Sequence, residues 1–162
     1  MRGFGRRATA VTAMVGMLSA LLFGAAPAQA ATLYHIQNVN SKKCLLVQGA
    51  ASNNPAVQTT CANYADQRWS FIQGQTGYVL IVNGSSGKCL VSRTSESQAV
   101  QSGCNVSYSD QNFQLGAAGN FAQLKNKATG QCLVARGGSS GAPVVKTTCA
   151  GYADQFWALI SA

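Results

Sequence analysis

The pattern of apolar and polar positions changes character once, near residue 30. Before it, an apolar run of Ala, Val, Met, Leu and Phe extends to about Ala26, behind Arg2, Arg6 and Arg7. Pro27-Ala28-Gln29-Ala30 follows with the A-x-A pattern of a cleavage site. Residues 1–30 therefore read as a removable export signal and 31–162 as the mature domain. After Ala30 the apolar residues come in short runs rich in Val, Ile, Tyr, Thr and Phe, bounded by Gly, Asn and Ser. Alternation is visible in Tyr34-x-Ile36 and Trp157-x-Leu159. The runs 33–39, 78–82, 90–92, 142–147 and 156–160 predict strands, and 83–87 and 137–141 predict turns. No long window after Ala30 carries helical periodicity. No later apolar stretch reaches the roughly 18 residues of a membrane-spanning helix.

The runs recur at a fixed period. Cys44-Leu45, Cys89-Leu90 and Cys132-Leu133 stand at steps of 45 and 43 residues, and Gln67, Gln111 and Gln155 at steps of 44. Cys61, Cys104 and Cys149 keep the same rhythm. Asn38, Asn83 and Asn126 align before the first cysteines, as do Ile36, Ile81 and Leu124, while Val57, Val100 and Val145 align before the second. Each unit closes on Q-x-W or Q-x-F: Gln67-Arg68-Trp69, Gln111-Asn112-Phe113 and Gln155-Phe156-Trp157. Such a period marks three copies of one supersecondary unit, at about 33–75, 76–118 and 119–162. Four short strands per unit predict an all-β domain of twelve strands. A propeller takes about four blades or more. A closed threefold barrel fits better, because closure removes the sheet edges.

Cysteine usage and charge narrow the chemistry. An even number of cysteines in an exported chain reads as a disulfide framework. Three like units select Cys44–Cys61, Cys89–Cys104 and Cys132–Cys149, each loop adding on the order of 3 kcal/mol. Zinc binding wants close cysteine pairs or histidines; the cysteines are far apart and His35 is the one histidine, so no metal or cofactor is expected. His35 itself reads as a strand residue at the barrel's edge. After Ala30 nine basic residues face four acids. The basic residues are scattered, with Lys42-Lys43 the one adjacent pair, which argues against nucleic-acid binding.

The acids are Asp66, Glu96, Asp110 and Asp154. Glycoside hydrolysis wants two carboxylates about 5–10 Å apart. The three aspartates occupy equivalent places, so threefold symmetry separates them and no enzyme is expected. Gly137-Gly138-Ser139-Ser140-Gly141 matches G-x-S-x-G formally, without the elbow, histidine and acid that the motif needs. Asn83-Gly84-Ser85 and Asn105-Val106-Ser107 are glycosylation sequons.

Three repeats of C-L, a second cysteine and Q-x-W or Q-x-F resemble the ricin-B-type β-trefoil, a carbohydrate-binding module, over Tyr34 to Leu159. The resemblance implies a six-stranded barrel capped by three hairpins, a shallow pocket in each repeat, and a shared core of Trp69, Phe113 and Trp157. It also implies where a sugar pocket stands. In sugar-binding repeats of the family an Asp follows the first cysteine by two, an aromatic precedes the second by two, and Asn-Gln opens the Q-x-W segment. Here those places hold Leu46, Val91 and Val134; Thr59, Ser102 and Thr147; and Asp66, Asp110 and Asp154. Only Gln67, Gln111 and Gln155 match, and they read equally as ties between loop and backbone.

Another set recurs in its place. Tyr64, Tyr108 and Tyr152 each precede the glutamine by three residues. A relocated pocket would use tyrosine as stacking face with Asp and Gln as polar contacts. The candidates are Tyr64, Asp66 and Gln67 with Tyr152, Asp154 and Gln155; Tyr108, Asp110 and Gln111 form an altered third set, because repeat two has a shorter disulfide loop. The same residues also read structurally, with tyrosine over the disulfide and aspartate capping a turn or pairing with Arg. The expectation is a secreted, non-catalytic carbohydrate-binding protein acting without an attached catalytic domain. The alternative is a trefoil that contacts another protein, such as an inhibitor of an extracellular hydrolase.

Overall fold

The computed structural model describes residues 31–162, and the export signal expected over 1–30 lies outside the described residues. Repeat one supplies β1 (Tyr34–Asn38), β2 (Cys44–Leu46), β3 (Val57–Thr59) and β4 (Arg68–Gln73). Repeat two supplies β5 (Val79–Asn83), β6 (Cys89–Val91), β7 (Val100–Ser102) and β8 (Phe113–Ala118). Repeat three supplies β9 (Phe121–Asn126), β10 (Cys132–Ala135), β11 (Val144–Thr147) and β12 (Phe156–Ser161). The predicted runs land on β1, β5, β6, β11 and β12 with ends shifted by a residue or two, as strand ends commonly are.

Six strands close on themselves. β1 pairs with β4, β4 with β5, β5 with β8, β8 with β9, β9 with β12, and β12 with β1, all antiparallel. No strand of this ring keeps a free edge. His35 accordingly lies in a strand paired on both sides, opposite Ile160 and Arg68, rather than at an edge. The other strands form hairpins β2–β3, β6–β7 and β10–β11. Single bridges join those hairpins in a triangle, Pro55 with Val100, Val57 with Pro143, and Gln98 with Val145. This is the barrel and cap that the resemblance implies.

Alternation along the strands turns one side chain in two toward the barrel axis. Ile36, Ile81 and Leu124, with Leu45, Leu90 and Leu133, are fully buried around Trp69, Phe113 and Trp157. Burying each such side chain contributes roughly 1.5–3 kcal/mol. The disulfides are Cys44–Cys61, Cys89–Cys104 and Cys132–Cys149, each with Cα atoms 5.0 Å apart. Within-repeat spacing therefore identified the pairing.

Buried amides bind each repeat to the one before it. Asn38, Asn83 and Asn126 are buried, and a buried amide must be satisfied. The side-chain oxygen accepts from two backbone N–H groups of its own turn, as in Ser85 and Ser86 onto Asn83 at 3.0 Å each. The side-chain nitrogen crosses to the neighbouring repeat: Asn83 donates to the Asp66 carbonyl at 2.9 Å, Asn126 to Asp110 at 2.8 Å, and Asn38 to Asp154 at 2.7 Å. A second set runs the same way round. Gln58 donates to the Gly137 carbonyl at 2.9 Å, Gln101 to Gly49 at 2.8 Å, and Lys146 to Thr94 at 3.1 Å. The turn before each first cysteine needs a left-handed residue. Gly87 and Gly130 provide it at φ of 64° and 65°, while repeat one places Lys42 there at 58°.

Candidate functional site

The candidate residues sit on one short feature repeated around the barrel. Residues Ala65–Gln67, Ser109–Gln111 and Ala153–Gln155 each form a single 3-10 turn. Tyr64, Tyr108 and Tyr152 stand just before it in extended conformation, and the tyrosine carbonyl accepts the glutamine N–H at 3.0–3.1 Å. A three-residue turn is too short to show helical periodicity, so no sequence signal announced it.

Each glutamine is buried and committed at both ends of its amide. The oxygen of Gln67 accepts from Ala62 N–H at 2.8 Å and its nitrogen donates to the Thr60 carbonyl at 3.3 Å. Gln111 bonds in the same sense to Asn105 and Gly103, and Gln155 to Ala150 and Thr148. The amides hold the loop that leaves the second cysteine, and so fix the turn that carries Tyr and Asp.

The aspartates are placed differently. Asp66, Asp110 and Asp154 are half-buried, and in each the Oδ1 atom is buried without a hydrogen-bond partner. They do not cap their turns through Oδ1, which has no donor; the cap position itself is the tyrosine, whose side chain makes no cap bond. They do not pair with arginine either; among the described residues the ion pair is Arg93–Glu96 at 3.2 Å. The tyrosine rings face solvent, with Tyr64 67% exposed, Tyr108 57% and Tyr152 70%. Each repeat thus displays an exposed aromatic ring two residues before a half-buried carboxylate, whose Oδ1 atom is enclosed and unbonded.

The family's usual acceptor and stacking positions are occupied by the scaffold. Leu46, Val91 and Val134 are buried in the hairpin strands. Thr59, Ser102 and Thr147 lie directly across the ladder from Cys44, Cys89 and Cys132. Of the sequons, Asn83 is sealed by the bonds described above, whereas Asn105 is exposed. Among the described residues no three His, Cys, Asp or Glu side chains gather as metal ligands, and no helix is long and apolar enough to cross a membrane.

Two cavities lie apart from these turns, toward the end of the barrel away from the hairpins. One, of about 230 Å³, is lined by Leu115, Ala117, Phe121, Ala122 and Leu159, with Gly119 and Asn120. The other, of about 380 Å³, is lined by Gln73, Tyr78, Val79 and Gln114 among others. Sequence reasoning missed both. The signal was present in the column Tyr34, Val79 and Ala122, which shrinks from repeat one to repeat three.

Comparison with known proteins places this geometry. No curated sequence relative matches the chain. A designed 3-fold symmetric protein, ThreeFoil, superposes with a TM-score of 0.76 at 22% identity, over 80% of this chain and 99% of that one. An exo-beta-1,3-galactanase of Clostridium thermocellum, 1,3Gal43A, gives 0.76 at 22% identity, over 83% of this chain and 31% of the enzyme. The BEL beta-trefoil gives 0.70 at 19% identity, over 86% and 99%. At these identities the likeness is one of fold. The sequence pattern of the ricin-type beta-trefoil lectin domain matches residues 32–157, which spans the barrel and all three disulfides, and the chain belongs to that family.

Proposed function

We propose that this protein is a secreted, non-catalytic carbohydrate-binding module whose sites are Tyr64, Asp66 and Gln67 in repeat one and Tyr152, Asp154 and Gln155 in repeat three. The observation that carries the reading is the exposed tyrosine beside a carboxylate that has neither partner cation nor cap bond, repeated at each turn. A sugar presents hydroxyl donors around an apolar ring face. Tyrosine offers a flat apolar surface, and an ionised carboxylate is an acceptor only. Gln67 and Gln155 hold the loop beneath, so the two contact groups keep their spacing. Tyr108, Asp110 and Gln111 form a weaker third site on a loop of different length. Such shallow sites bind weakly one at a time, and several on one domain gain by multivalency on a polymer. The presence of a similar trefoil within a galactan-cleaving enzyme supports a polysaccharide ligand. Separation of the three aspartates onto different repeats supports a non-catalytic role, and the three disulfides support an oxidising compartment.

A glycan array with the purified protein tests this, followed by calorimetry on Tyr64→Ala, Tyr152→Ala and the double variant, each first checked for folding. Each single change should remove on the order of 1–2 kcal/mol of binding at its site, because a stacked ring carries much of a shallow site's energy. Undiminished binding in the double variant would remove these residues from the site. Binding to no glycan would transfer the reading to a protein partner, examined next against extracellular hydrolases.

A further inference from the structure

Threefold symmetry makes every barrel position comparable with two others. Tyr34, Val79 and Ala122 are one such set. Tyr34 faces Trp69 and Ser161 across its two ladders, Val79 faces Phe113 and Gln73, and Ala122 faces Trp157 and Ala117. Phe71, Leu115 and Leu159 are the companion set, all packed against the core. In repeat one the two rings meet, Tyr34 against Phe71 with centroids 5.6 Å apart and planes at 59°. Neither cavity reaches them. In repeat three the same two places hold Ala122 and Leu159, and the apolar cavity of about 230 Å³ opens there. In repeat two Val79 and Leu115 border the other cavity, where Gln73 and Gln114 make the walls polar.

The cavity is open to solvent, and water held against its apolar walls is released when an apolar group takes its place. An apolar cavity of roughly 150 Å³ accepts benzene, so this one has room for a single ring and a small substituent. Its lining adds two features that an alkane would not use. Phe121, 41% exposed, offers a ring for edge-to-face contact. Asn120, exposed at the rim, offers an amide to a hydroxyl. In repeat one the residue at the Ala122 position is Tyr34, which carries a phenol that packs on Phe71.

We propose that the barrel end in repeat three is a binding site for a free phenolic ring, taking the place that Tyr34 takes in repeat one. The site is independent of the carbohydrate reading, because it shares no residue with the tyrosine-aspartate turns. The test is titration of the protein with p-cresol, followed by backbone amide NMR. Saturable shifts are expected at Leu115, Phe121, Ala122 and Leu159, with the amides of Tyr34 and Phe71 silent. Ala122→Tyr supplies the ring covalently and should weaken p-cresol by about tenfold or more. If that variant does not fold, Ala122→Val, which copies repeat two, should weaken it by about threefold. No saturable shift in the wild type overturns the site, as does unchanged affinity in the folded variant. Cyclohexanol binding as tightly as p-cresol overturns the aromatic assignment.

Discussion

Trp69 and Trp157 each fill the barrel centre and donate an indole N–H to a hairpin carbonyl, Leu45 and Leu133, at 3.1 Å in both cases. Repeat two puts Phe113 in the same place, equally buried but with no polar hydrogen to give. Its loop from Cys104 to Gln111 is one residue longer than its counterparts. That loop is held by Asn112, a fully buried amide that donates to the Val106 and Tyr108 carbonyls and accepts from Gln75 N–H at 2.8 Å. Arg68 and Phe156 occupy the equivalent positions in the other repeats and are only half-buried. Gly74 lies so close to Asn112 that a Cβ there would stand 2.5 Å from the amide oxygen. One fold thus tolerates two local solutions: an indole bonded to the hairpin above it, or a phenyl ring with a separate amide clamp on the loop below.

The largest expected effect comes from emptying either solution. Trp69→Ala, Trp157→Ala and Phe113→Ala should each lose about 3–5 kcal/mol in denaturant unfolding, as deletion of large buried rings does. If any one of them melts like the wild type, the three rings are not a shared core. Next come the cross-links. The loops differ little in length, with separations of 17, 15 and 17 residues. Replacing Cys44 and Cys61 by alanine should therefore cost about 3 kcal/mol, and the same change at Cys89 and Cys104 nearly as much. A much smaller loss in repeat two would show that Asn112, which holds the segment leaving Cys104 through Val106 and Tyr108, anchors that end of the cross-linked loop by itself. Asn112→Ala probes the clamp directly and should lose about 1–3 kcal/mol, because Gln75 N–H and two carbonyls lose their partner. An effect near zero would reduce the two solutions to one. The smallest effect sharpens the comparison from the other side. Lys42 sits where Gly87 and Gly130 sit, at positive φ. A side chain in that conformation costs about 1–2 kcal/mol and glycine's extra freedom in the unfolded chain returns part of that. Lys42→Gly should gain about 0.5 kcal/mol in the same assay.

Much of this was legible because the repeat is written in residue types with strong physical preferences. Paired cysteines, an aromatic behind each glutamine and aliphatics at fixed offsets sufficed for the barrel, its core and its disulfides. Other parts were illegible for definite reasons. The 3-10 turns are shorter than any period that could reveal them. The bonds from Gln58 to Gly137 and from Gln101 to Gly49 join residues 79 and 52 apart, and nothing local marks the partner. Asn38, Asn83 and Asn126 aligned visibly, but an aligned asparagine does not say which neighbour it binds. The glutamines were open to two readings, and their buried amides, bonded at both ends, show them holding the loop. The unbonded Oδ1 of each aspartate could not be read from sequence at all, because it depends on what packs around the turn.

The amides that bind each repeat to its predecessor run one way around the barrel: two to one, three to two, and one to three. Repeat arrays laid out in a line have end units, held on one side only, which fray first and need caps. Here the line is bent into a ring, and every unit is both gripping and gripped. Loosening one repeat then costs two seams at once, so partial opening has no cheap starting point. The expected signature is hydrogen exchange in which the turn amides held by Asn38, Asn83 and Asn126 show one protection level, set by global unfolding rather than by position along the chain.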